Sequence, residues 1–493
     1  MNRKKGLETE MGVLTELEPK SVFQFFEELC QIPHGSGNCQ AISNYLVDFA
    51  KKRNLQWQQD EMHNVIIIKE ATAGYEQEEP YVIQGHMDMV AVKKADCDID
   101  LMKDGLRLKV DGDRVYAEGT TLGGDDGIAV AFALAIMDAS DLKHPRIEAI
   151  FTTEEEVGME GASALDPSIC KGRRLLNLDS EEEGILLTSC AGGCRAHVEI
   201  SVGRENKTGT LYKIQLDNMF GGHSGTEIDK EHGNAIKLLG RVVYMLSKVS
   251  PVSLVESYGG GKDNAIPRDA YAVIMVNDQD NKAVENAFEE IRKAFHSEYA
   301  TKEPSMTCEM TKMEDRAEKS VVTSEKTIAI AKYLLAIPNG IQHMSIDIEG
   351  LVETSLNVGI MELKEDVFTT DSAIRSSIEI AKMEVKEQMA VIAELSGGSI
   401  SYHGEYPGWQ YNPDSELRKK MLRIFKEMFG KEAEVQALHA GLECGILCEK
   451  LPGLDCVSFG PDIFDIHTTE EQLSISSTKR MWDYVVRILA EKS

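Results

Sequence analysis

Short apolar runs of strand length alternate with helical patterns over residues 20–200 of this chain. The helical patterns cover 22–31, 39–53 and 129–137, and the strand-like runs cover 64–69, 81–84, 147–152 and 175–178. Strands that alternate with helices usually lie side by side in one sheet whose faces the helices cover. The pattern therefore predicts an α/β fold with a mixed, largely parallel sheet flanked by helices. In such sheets, sites gather beyond the carboxyl ends of the strands.

The alternation breaks near residues 191–193 and returns after residues 406–408. Between these points, residues 211–312 predict a βαββαβ unit, and residues 324–405 predict a near-copy that lacks the first strand. Helix–strand alternation resumes over 415–459. This order predicts three segments, 1–192, 193–406 and 407–493, in which the middle one is an α+β insertion and the outer two complete one domain. A separate third domain at 407–493 is the alternative.

The amino-acid composition limits the kinds of binding partner that we expect for this chain. The 493 residues include 53 Lys and Arg against 82 Asp and Glu, which gives a formal net charge of −29. A chain this acidic is repelled by nucleic acid and by anionic membrane surfaces, so we expect neither as a partner. No apolar run reaches the roughly 18 residues that a transmembrane helix needs. No apolar stretch follows the basic residues 1–5, so we expect no signal peptide.

Ten cysteines are scattered along the chain without a CxxC pair. Cys190 and Cys194 are separated by three residues, and so are Cys444 and Cys448. A structural zinc held by these four is one interpretation. The other is a set of reduced thiols in a cytoplasmic protein, which is the location that we expect.

Residues with metal-ligand side chains follow several of the strand-like runs. They are His86 and Asp88 after the run at 81–84, Glu154, Glu155 and Glu156 after 147–152, Asp179 after 175–178, and His467 after 455–459. Asp125 and Asp126 lie in a glycine-rich turn directly before the helical pattern at 129–137. Imidazoles and carboxylates are the ligands of catalytic zinc, so the set predicts a metal-hydrolase site.

The residue types suggest roles but leave several open. Asp88 is placed to orient a metal-bound His86 through its second ring nitrogen. Either Asp125 or Asp126 could bridge two cations, because a carboxylate can offer one oxygen to each. Asp179 is a terminal ligand or only the polar end of a strand. Within 154–156, one glutamate could bind metal while a neighbour takes a proton from the attacking water.

Taken together, these motifs resemble the aminoacyl-histidine dipeptidases (Xaa-His dipeptidases), a family of the dizinc aminopeptidase/carboxypeptidase/aminoacylase superfamily. The resemblance covers nearly the whole chain after about residue 15. The segments that carry it are Gly85-His86-Met87-Asp88, Gly123-Gly124-Asp125-Asp126-Gly127, residues 153–159, Asn177-Leu178-Asp179, Gly221-Gly222-His223-Ser224-Gly225, residues 264–268 and residues 439–445.

The resemblance implies a metal site with divided roles. His86, Asp125, Glu156, Asp179 and His467 would hold two divalent cations, with Asp125 as the bridge; zinc is implied, with manganese or cobalt as alternatives. Glu155 would be the general base, Asp88 would orient His86, and Glu154 would be the extra glutamate. The same resemblance implies that 1–192 and 407–493 form a catalytic domain and that 193–406 form a lid.

Residues of the lid and the last segment would contact substrate. The resemblance implies that His223 stabilises the oxyanion and that Arg375 grips the substrate carboxylate. Asn264 and Glu443 would add substrate contacts. His232 stands where an arginine is commoner in the family, which leaves its role and the substrate preference open.

The resulting hypothesis is a metal-dependent dipeptidase that hydrolyses unblocked dipeptides, of the Xaa-His type, through a metal-activated water. The alternatives are an N-acyl-amino-acid deacylase or another dizinc peptidase of the superfamily, and a catalytically silent binding protein with the same fold. The expected partner is a small peptide, and the family also implies a homodimer.

Overall fold

The computed structural model describes residues 12–315 and 317–492; the basic residues 1–5 lie outside them. The α-helices of this part of the chain are α1 Lys20–Cys30, α2 Gln40–Lys52, α3 Gly124–Asp138, α4 Glu155–Gly158, α5 Glu160–Ala164, α6 Ala235–Ser247, α7 Asn281–Tyr299, α8 Ser324–Ala336, α9 Glu379–Leu395, α10 Glu416–Phe429, α11 Glu443–Lys450 and α12 Ile475–Ala490. None of them is both long and apolar enough to cross a membrane.

The strands of the same residues are β1 Gln56–Gln59, β2 Val65–Lys69, β3 Tyr81–His86, β4 Leu108–Asp111, β5 Arg114–Ala117, β6 Ile147–Thr152, β7 Arg174–Asn177, β8 Ile185–Cys190, β9 Gly192–Ser201, β10 Arg204–Lys207, β11 Thr210–Asp217, β12 Gly222–His223, β13 Ser253–Gly259, β14 Ala265–Ile266, β15 Ala270–Val276, β16 Thr307–Lys312, β17 Lys319–Val322, β18 Gly340–Met344, β19 Val352–Lys364, β20 Val367–Ser376, β21 Gly398–Tyr406, β22 Glu434–Leu438, β23 Asp455–Ser458, β24 Ile463–Phe464 and β25 Gln472–Ser474.

These elements form two compact units. The first unit contains the described residues of Met1–Ser189, Tyr411–Ala437 and Glu443–Ser493, and the second contains Cys190–Gln410 and Leu438–Leu442. The function of the first unit as a catalytic domain and of the second as a lid, with segment borders at 192 and 406, stays a prediction.

The first unit is built on an eight-stranded sheet in the order β1-β2-β6-β3-β7-β23-β8-β22. Its central strands β6, β3, β7 and β23 run parallel, whereas β1 and β2 pair antiparallel on one side. Strands β3 and β6 are buried along their whole length, as expected for parallel strands covered on both faces. The predicted mixed sheet with flanking helices is confirmed. The carboxyl ends of β6, β3 and β7 consequently lie side by side.

The second unit is built on a sheet in which all pairs are antiparallel, in the order β16-β11-β15-β13-β19-β20-β9-β21, with β18 added beside β19. The sheet consists of two halves of four strands each. Counted from the outer edge of each half toward the centre of the sheet, corresponding strands occupy the same positions. One half is the βαββαβ run β11-α6-β13-β15-α7-β16. The other half uses β9 as its first strand and continues with α8-β19-β20-α9-β21. The prediction that the second copy lacks its first strand was therefore wrong, because β9 supplies it from upstream of the first copy.

Polar side chains mark the starts of several helices. Asn234, Thr323, Ser415 and Ser474 each accept a hydrogen bond from the backbone N–H three residues further on. Such N-caps satisfy a donor that the helix itself leaves free. The first helix of the βαββαβ unit predicted over 211–312 accordingly begins after Asn234. Helix α12 and the small sheet β24-β25-β5-β4 were not predicted at all.

Candidate metal centre

His86 ends strand β3 and is 1% exposed. Its backbone N–H donates to Asp126 Oδ2 (3.3 Å), and its ring Nε2 lies 3.1 Å from Asp125 Oδ1 and 3.6 Å from Asp179 Oδ1. The preceding Gly85 is required by this packing, because a Cβ there would lie 2.5 Å from both Ala129 Cβ and Asp126 Oδ2. The close approach of α3 to β3 thus brings the aspartates to the histidine.

Asp125 lies between two histidines from distant parts of the chain. Its Oδ1 is 3.1 Å from His86 Nε2, and its Oδ2 is 3.1 Å from His467 Nε2. The neighbouring Asp126 instead accepts the backbone N–H of His86. Of the two aspartates that the sequence left open, Asp125 has the geometry of a bridging carboxylate, with one oxygen directed to each side.

Glu156 lies beside His467, on the second side of Asp125. Its Oε2 lies 3.1 Å from His467 Nε2, and its buried Oε1 has no hydrogen-bond partner among the described residues. Glu155 Oε2 lies 3.9 Å from His86 Nε2. Because Glu155 also falls within ligand distance of His86 and Glu156, the division of roles between the two glutamates stays a prediction.

Three overlapping groups have ligand atoms within 4.8 Å of one another: His86 with Asp125 and Asp179, Asp125 with Glu156 and His467, and His86 with Glu155 and Glu156. All of these side chains belong to the first unit. In the described residues no such group contains a cysteine, so the structural zinc on Cys190, Cys194, Cys444 and Cys448 finds no support. The structure therefore brings all five predicted ligands together.

Asp88 contacts both His86 and the segment that carries the glutamates. His86 Nδ1 lies 3.0 Å from the Asp88 carbonyl oxygen and 3.5 Å from its Oδ1. The Asp88 carboxylate also accepts from the backbone N–H of Glu155 (3.1 Å) and from the Ser36 hydroxyl (2.8 Å). Burial disfavours its ionisation, but the hydrogen bonds to His86 and Ser36 lower its pKa overall. Asp88 thus ties the histidine to the glutamate loop, and Glu154 turns away to accept the N–H of Gly37 (2.9 Å).

The electrostatics of the cluster favour a cation. Burial raises the pKa of Glu155 well above its usual range, and the nearby carboxylates of Asp179 and Glu443 add to the rise. Hydrogen bonding to Asp125 and Glu156 raises the pKa of His467 to about 10. The raised pKa of His467 reflects the negative charge of its neighbours, whereas the raised pKa of Glu155 reflects chiefly its burial. Two imidazoles, several carboxylates and an unpartnered Glu156 oxygen fit divalent metal ions of the zinc type.

Glu443 lies in the interior of the first unit. It is completely buried, and its Oε2 accepts from Gln84 Nε2 and from the Thr152 hydroxyl, both at 2.5 Å. Asn177 Nδ2 donates to Gln84 Oε1 (2.6 Å), so residues near the carboxyl ends of β3, β6 and β7 join one network. Burial raises the pKa of Glu443 to about 8. Its predicted substrate contact stays a prediction.

His223 belongs to the second unit, on the short strand β12. Its Nδ1 accepts from the backbone N–H of Gly225 (3.3 Å) and of Thr226 (3.1 Å). A neutral imidazole has one donor and one acceptor nitrogen, so these bonds place the proton on Nε2. Burial, followed by the positive charge of Arg375, lowers the pKa of His223. The ring is therefore a neutral donor through Nε2.

Arg375 lies on β20, in register with Ser355 and Gly193 of its neighbouring strands. Its guanidinium donates to the Tyr406 hydroxyl (3.2 Å), while its buried Nε has no partner. Its guanidinium has no carboxylate partner among the described residues, although the chain has 82 acidic residues. A half-buried guanidinium with free donors is suited to bind a carboxylate from outside.

His223, Arg375 and His439 converge on Gly225 within the second unit. A Cβ at Gly225 would lie 2.5 Å from the His439 carbonyl oxygen, 3.0 Å from the His223 ring and 3.1 Å from Arg375 Nε. Asn264 joins them through its backbone, since its carbonyl accepts the N–H of Ser224 (2.9 Å). His232 contacts the Gly221 carbonyl through Nδ1 at 2.5 Å, which ties it to the loop that carries His223.

Sequence reasoning missed three residues around these clusters. His439 belongs to the motif segment 439–445 but was assigned no role, and neither Ser36 nor Glu471 was predicted to contribute. His439 Nε2 lies 2.7 Å from the Ser355 hydroxyl, and Glu471 accepts backbone N–H groups beside Asp125. Only Glu471 had a usable signal, an acidic residue four positions after a candidate ligand.

Comparison with known proteins identifies the family of the chain. The sequence profile of peptidase family M20/M25/M40 matches residues 82–491. The chain belongs to this family, and is thus a peptidase by class. It is 35% identical over 486 residues to the cytosol non-specific dipeptidase of Escherichia coli (strain K12), covering 98% of this chain and 99% of that one.

Solved structures show the same fold. The crystal structure of aminoacylhistidine dipeptidase from Vibrio alginolyticus superposes with a TM-score of 0.91 at 35% identity, covering 97% of this chain and 98% of that one. Aminopeptidase PepT from Bacillus cereus ATCC 10987 superposes with a TM-score of 0.55 at 14% identity, covering 96% and 98%. The second match concerns the fold alone.

Proposed function

We propose that this protein is a metal-dependent dipeptidase that binds two divalent cations, zinc in the first instance, and hydrolyses unblocked dipeptides. The observation that carries the proposal is the position of Asp125, whose two oxygens each lie 3.1 Å from a different histidine. His86 and Asp179 would hold one cation, and Glu156 and His467 the other. When bound, such metals polarise the scissile carbonyl and lower the pKa of water toward about 7.

Glu155 acts as the general base. It takes the proton of the attacking water and delivers it to the leaving amine. Its main chain is held by the hydrogen bond from its backbone N–H to Asp88 Oδ1, at 3.1 Å. Burial and neighbouring carboxylates raise its pKa, and a basic carboxylate is a better proton acceptor.

His223 and Arg375 recognise the substrate. The Nε2–H of His223 donates to the oxygen that becomes negative as water attacks, and Gly225 and Thr226 fix the required tautomer. Arg375 pairs with the free carboxylate of the dipeptide, for which its unpartnered Nε supplies a donor. The names of the relatives, a cytosol dipeptidase and an aminoacylhistidine dipeptidase, support a cytoplasmic location and Xaa-His substrates.

Metal reconstitution tests the proposal. Protein dialysed against a chelator should be inactive and should regain Ala-His hydrolysis on addition of Zn²⁺, Mn²⁺ or Co²⁺. Ala-His should be cleaved faster than Ala-Leu, and N-acetyl-Ala-His should resist cleavage. Faster cleavage of the acetylated substrate would instead identify an N-acyl-amino-acid deacylase. Metal binding without hydrolysis of any of the three substrates would support the silent binding protein.

A further inference from the structure

Glu471 holds the backbone that leads into Asp125. Its carboxylate accepts hydrogen bonds from four consecutive backbone N–H groups. Oε2 accepts from Leu122 (2.8 Å) and Gly123 (3.1 Å), and Oε1 accepts from Gly124 (2.7 Å) and Asp125 (3.4 Å). Glu471 is 3% exposed, so these groups have little access to water.

These four N–H groups depend on this carboxylate. Residues 122–125 precede the regular part of α3, because Asp125 and Asp126 have non-helical backbone angles. The segment reverses direction at Gly123, whose φ of +69° is readily adopted only by glycine among common residues. Successive N–H groups that point to one side form a concavity for an anion, and Glu471 fills it from within the chain.

Glu471 also belongs to the loop that carries His467. Three residues separate the two, and the Glu471 N–H donates to the Thr468 carbonyl (3.3 Å), while the Thr468 hydroxyl donates to the Asp465 carbonyl (2.7 Å). The backbone at His467 is in the left-handed region, with φ of +61°. One side chain therefore joins the loop of His467 to the loop of Asp125.

We propose that Glu471 is a positioning residue for the metal centre, which sets the separation of Asp125 and His467 without touching a metal or the substrate. The inference rests on the proposed function, because it assigns Glu471 to the cations that Asp125 and His467 would share. Groups that orient metal ligands from behind typically change metal affinity by about 10–100-fold when they are replaced.

The chain offers a matched control. Glu148 on β6 is also fully buried and also accepts backbone N–H groups, from Lys171 (2.8 Å) and Gly172 (2.9 Å). It lies near the beginning of β6, whereas the candidate ligands follow the end of that strand. Glu148→Gln therefore replaces a buried carboxylate that also accepts backbone hydrogen bonds, but near the amino end of β6 rather than near the candidate ligands.

The experiment measures Zn²⁺ affinity by chelator competition on the dialysed full chain, for the wild type, Glu471→Gln and Glu148→Gln. Glutamine keeps one acceptor oxygen but presents an NH₂ group to the backbone donors, so Glu471→Gln should weaken Zn²⁺ binding by at least about 10-fold. Excess Zn²⁺ should restore most of its kcat. Glu148→Gln should lower Tm but keep wild-type Zn²⁺ affinity.

The outcomes separate the two proposals. No Zn²⁺ binding by the wild type would overturn the proposed function itself. Wild-type affinity in Glu471→Gln, or equal weakening in both variants, would overturn only the role of Glu471. Should Glu471→Gln not fold, Glu471→Asp keeps the charge on a shorter side chain; it should weaken Zn²⁺ binding measurably, and wild-type affinity there would also overturn the inference.

Discussion

The two units carry clusters of opposite electrostatic character. In the first unit, His86 and His467 are surrounded by carboxylates, and the pKa of both rings is raised. In the second unit, His223 and His439 lie near Arg375, and burial followed by that positive charge lowers the pKa of both, for His439 to about 3. The same residue type is thus prepared to neutralise negative charge in one cluster and to stay neutral in the other.

This difference separates two tasks that a peptidase site has to perform. An acidic cluster is suited to bind cations, whereas neutral imidazoles and an arginine that has an unpartnered Nε are suited to a carboxylate and a developing oxyanion. Substitutions in the first cluster should therefore change metal content, and substitutions in the second should change turnover or substrate binding with metal retained.

The largest effect is expected for Asp125→Ala. This change removes oxygens from both groups of donors at once, so both metal content and activity should fall to background. Metal content is measured on purified protein by elemental analysis, with Asp111→Ala, an exposed aspartate on β4, as control. Full two-metal occupancy in Asp125→Ala would exclude the bridge.

Glu155→Gln should lower kcat by about 10²–10⁴, the usual loss for a general base, while two metals per chain are retained. Glu156→Gln should instead reduce metal content, because one of the donors close to His467 is lost. Both variants are compared by elemental analysis and steady-state kinetics. The opposite pattern would mean that base and ligand are exchanged.

His223→Ala should lower kcat by about 10²–10³ with little change in KM, because an oxyanion donor acts mainly in the transition state. Metal content should remain that of the wild type. His197→Ala removes a histidine from β9 of the same unit that instead contacts Asp371 (2.6 Å), and it should retain activity. Loss of metal in His223→Ala would contradict the assignment of metal binding to the first cluster alone.

Arg375→Ala should lower kcat/KM for free dipeptides by about 10–100-fold, the scale of one charge-assisted hydrogen-bonded pair. Dipeptide amides, which lack the carboxylate, should lose little further activity. Arg195→Ala is a suitable control, since this β9 arginine already pairs with Asp263. If acid and amide suffer equally at unchanged Tm, the carboxylate contact belongs to another residue.

The smallest effect concerns stability in acid. The folded-state pKa of His439 is about 3, below the usual value of 6.5, so the unfolded chain binds the proton more readily. Stability from this residue is therefore complete above pH 6.5 and is lost as pH falls toward 3. Between pH 7 and 5 the loss is about 2 kcal/mol. Urea unfolding at both pH values should show a smaller pH dependence for His439→Gln.

Strand ends were the most informative part of the sequence. His86, Glu156 and Asp179 follow buried parallel strands, and parallel pairing alone brings such residues to one edge. The residue pattern alone left the choice between Asp125 and Asp126 open, and only the family resemblance implied Asp125. Both lie in one glycine turn whose direction depends on Gly123 and on the remote Glu471. The Glu443 network likewise depends on a helix 359 residues from Gln84.

The fold of the second unit shows a different limit. Strand β9 carries a clear alternation, with Cys194, Ala196, Val198 and Ile200 buried and intervening residues more exposed, so it could have been identified as a strand. Its place as the first strand of the second copy could not, because that depends on pairing with β20 and β21 across more than 150 residues.

The chain order of β9 has a consequence for biosynthesis. The first βαββαβ copy is contiguous in sequence, whereas the second copy begins before it and ends after it, and the first unit in turn begins before both and ends after both. Contacts between distant segments form only after the later segment has left the ribosome. The first copy can therefore fold while synthesis continues. Strand β9 can pair only after β20 and β21 have been synthesised, and His86 can approach His467 only after the last segment has been synthesised. The candidate metal ligands can therefore come together only after all strands of the antiparallel sheet have been synthesised.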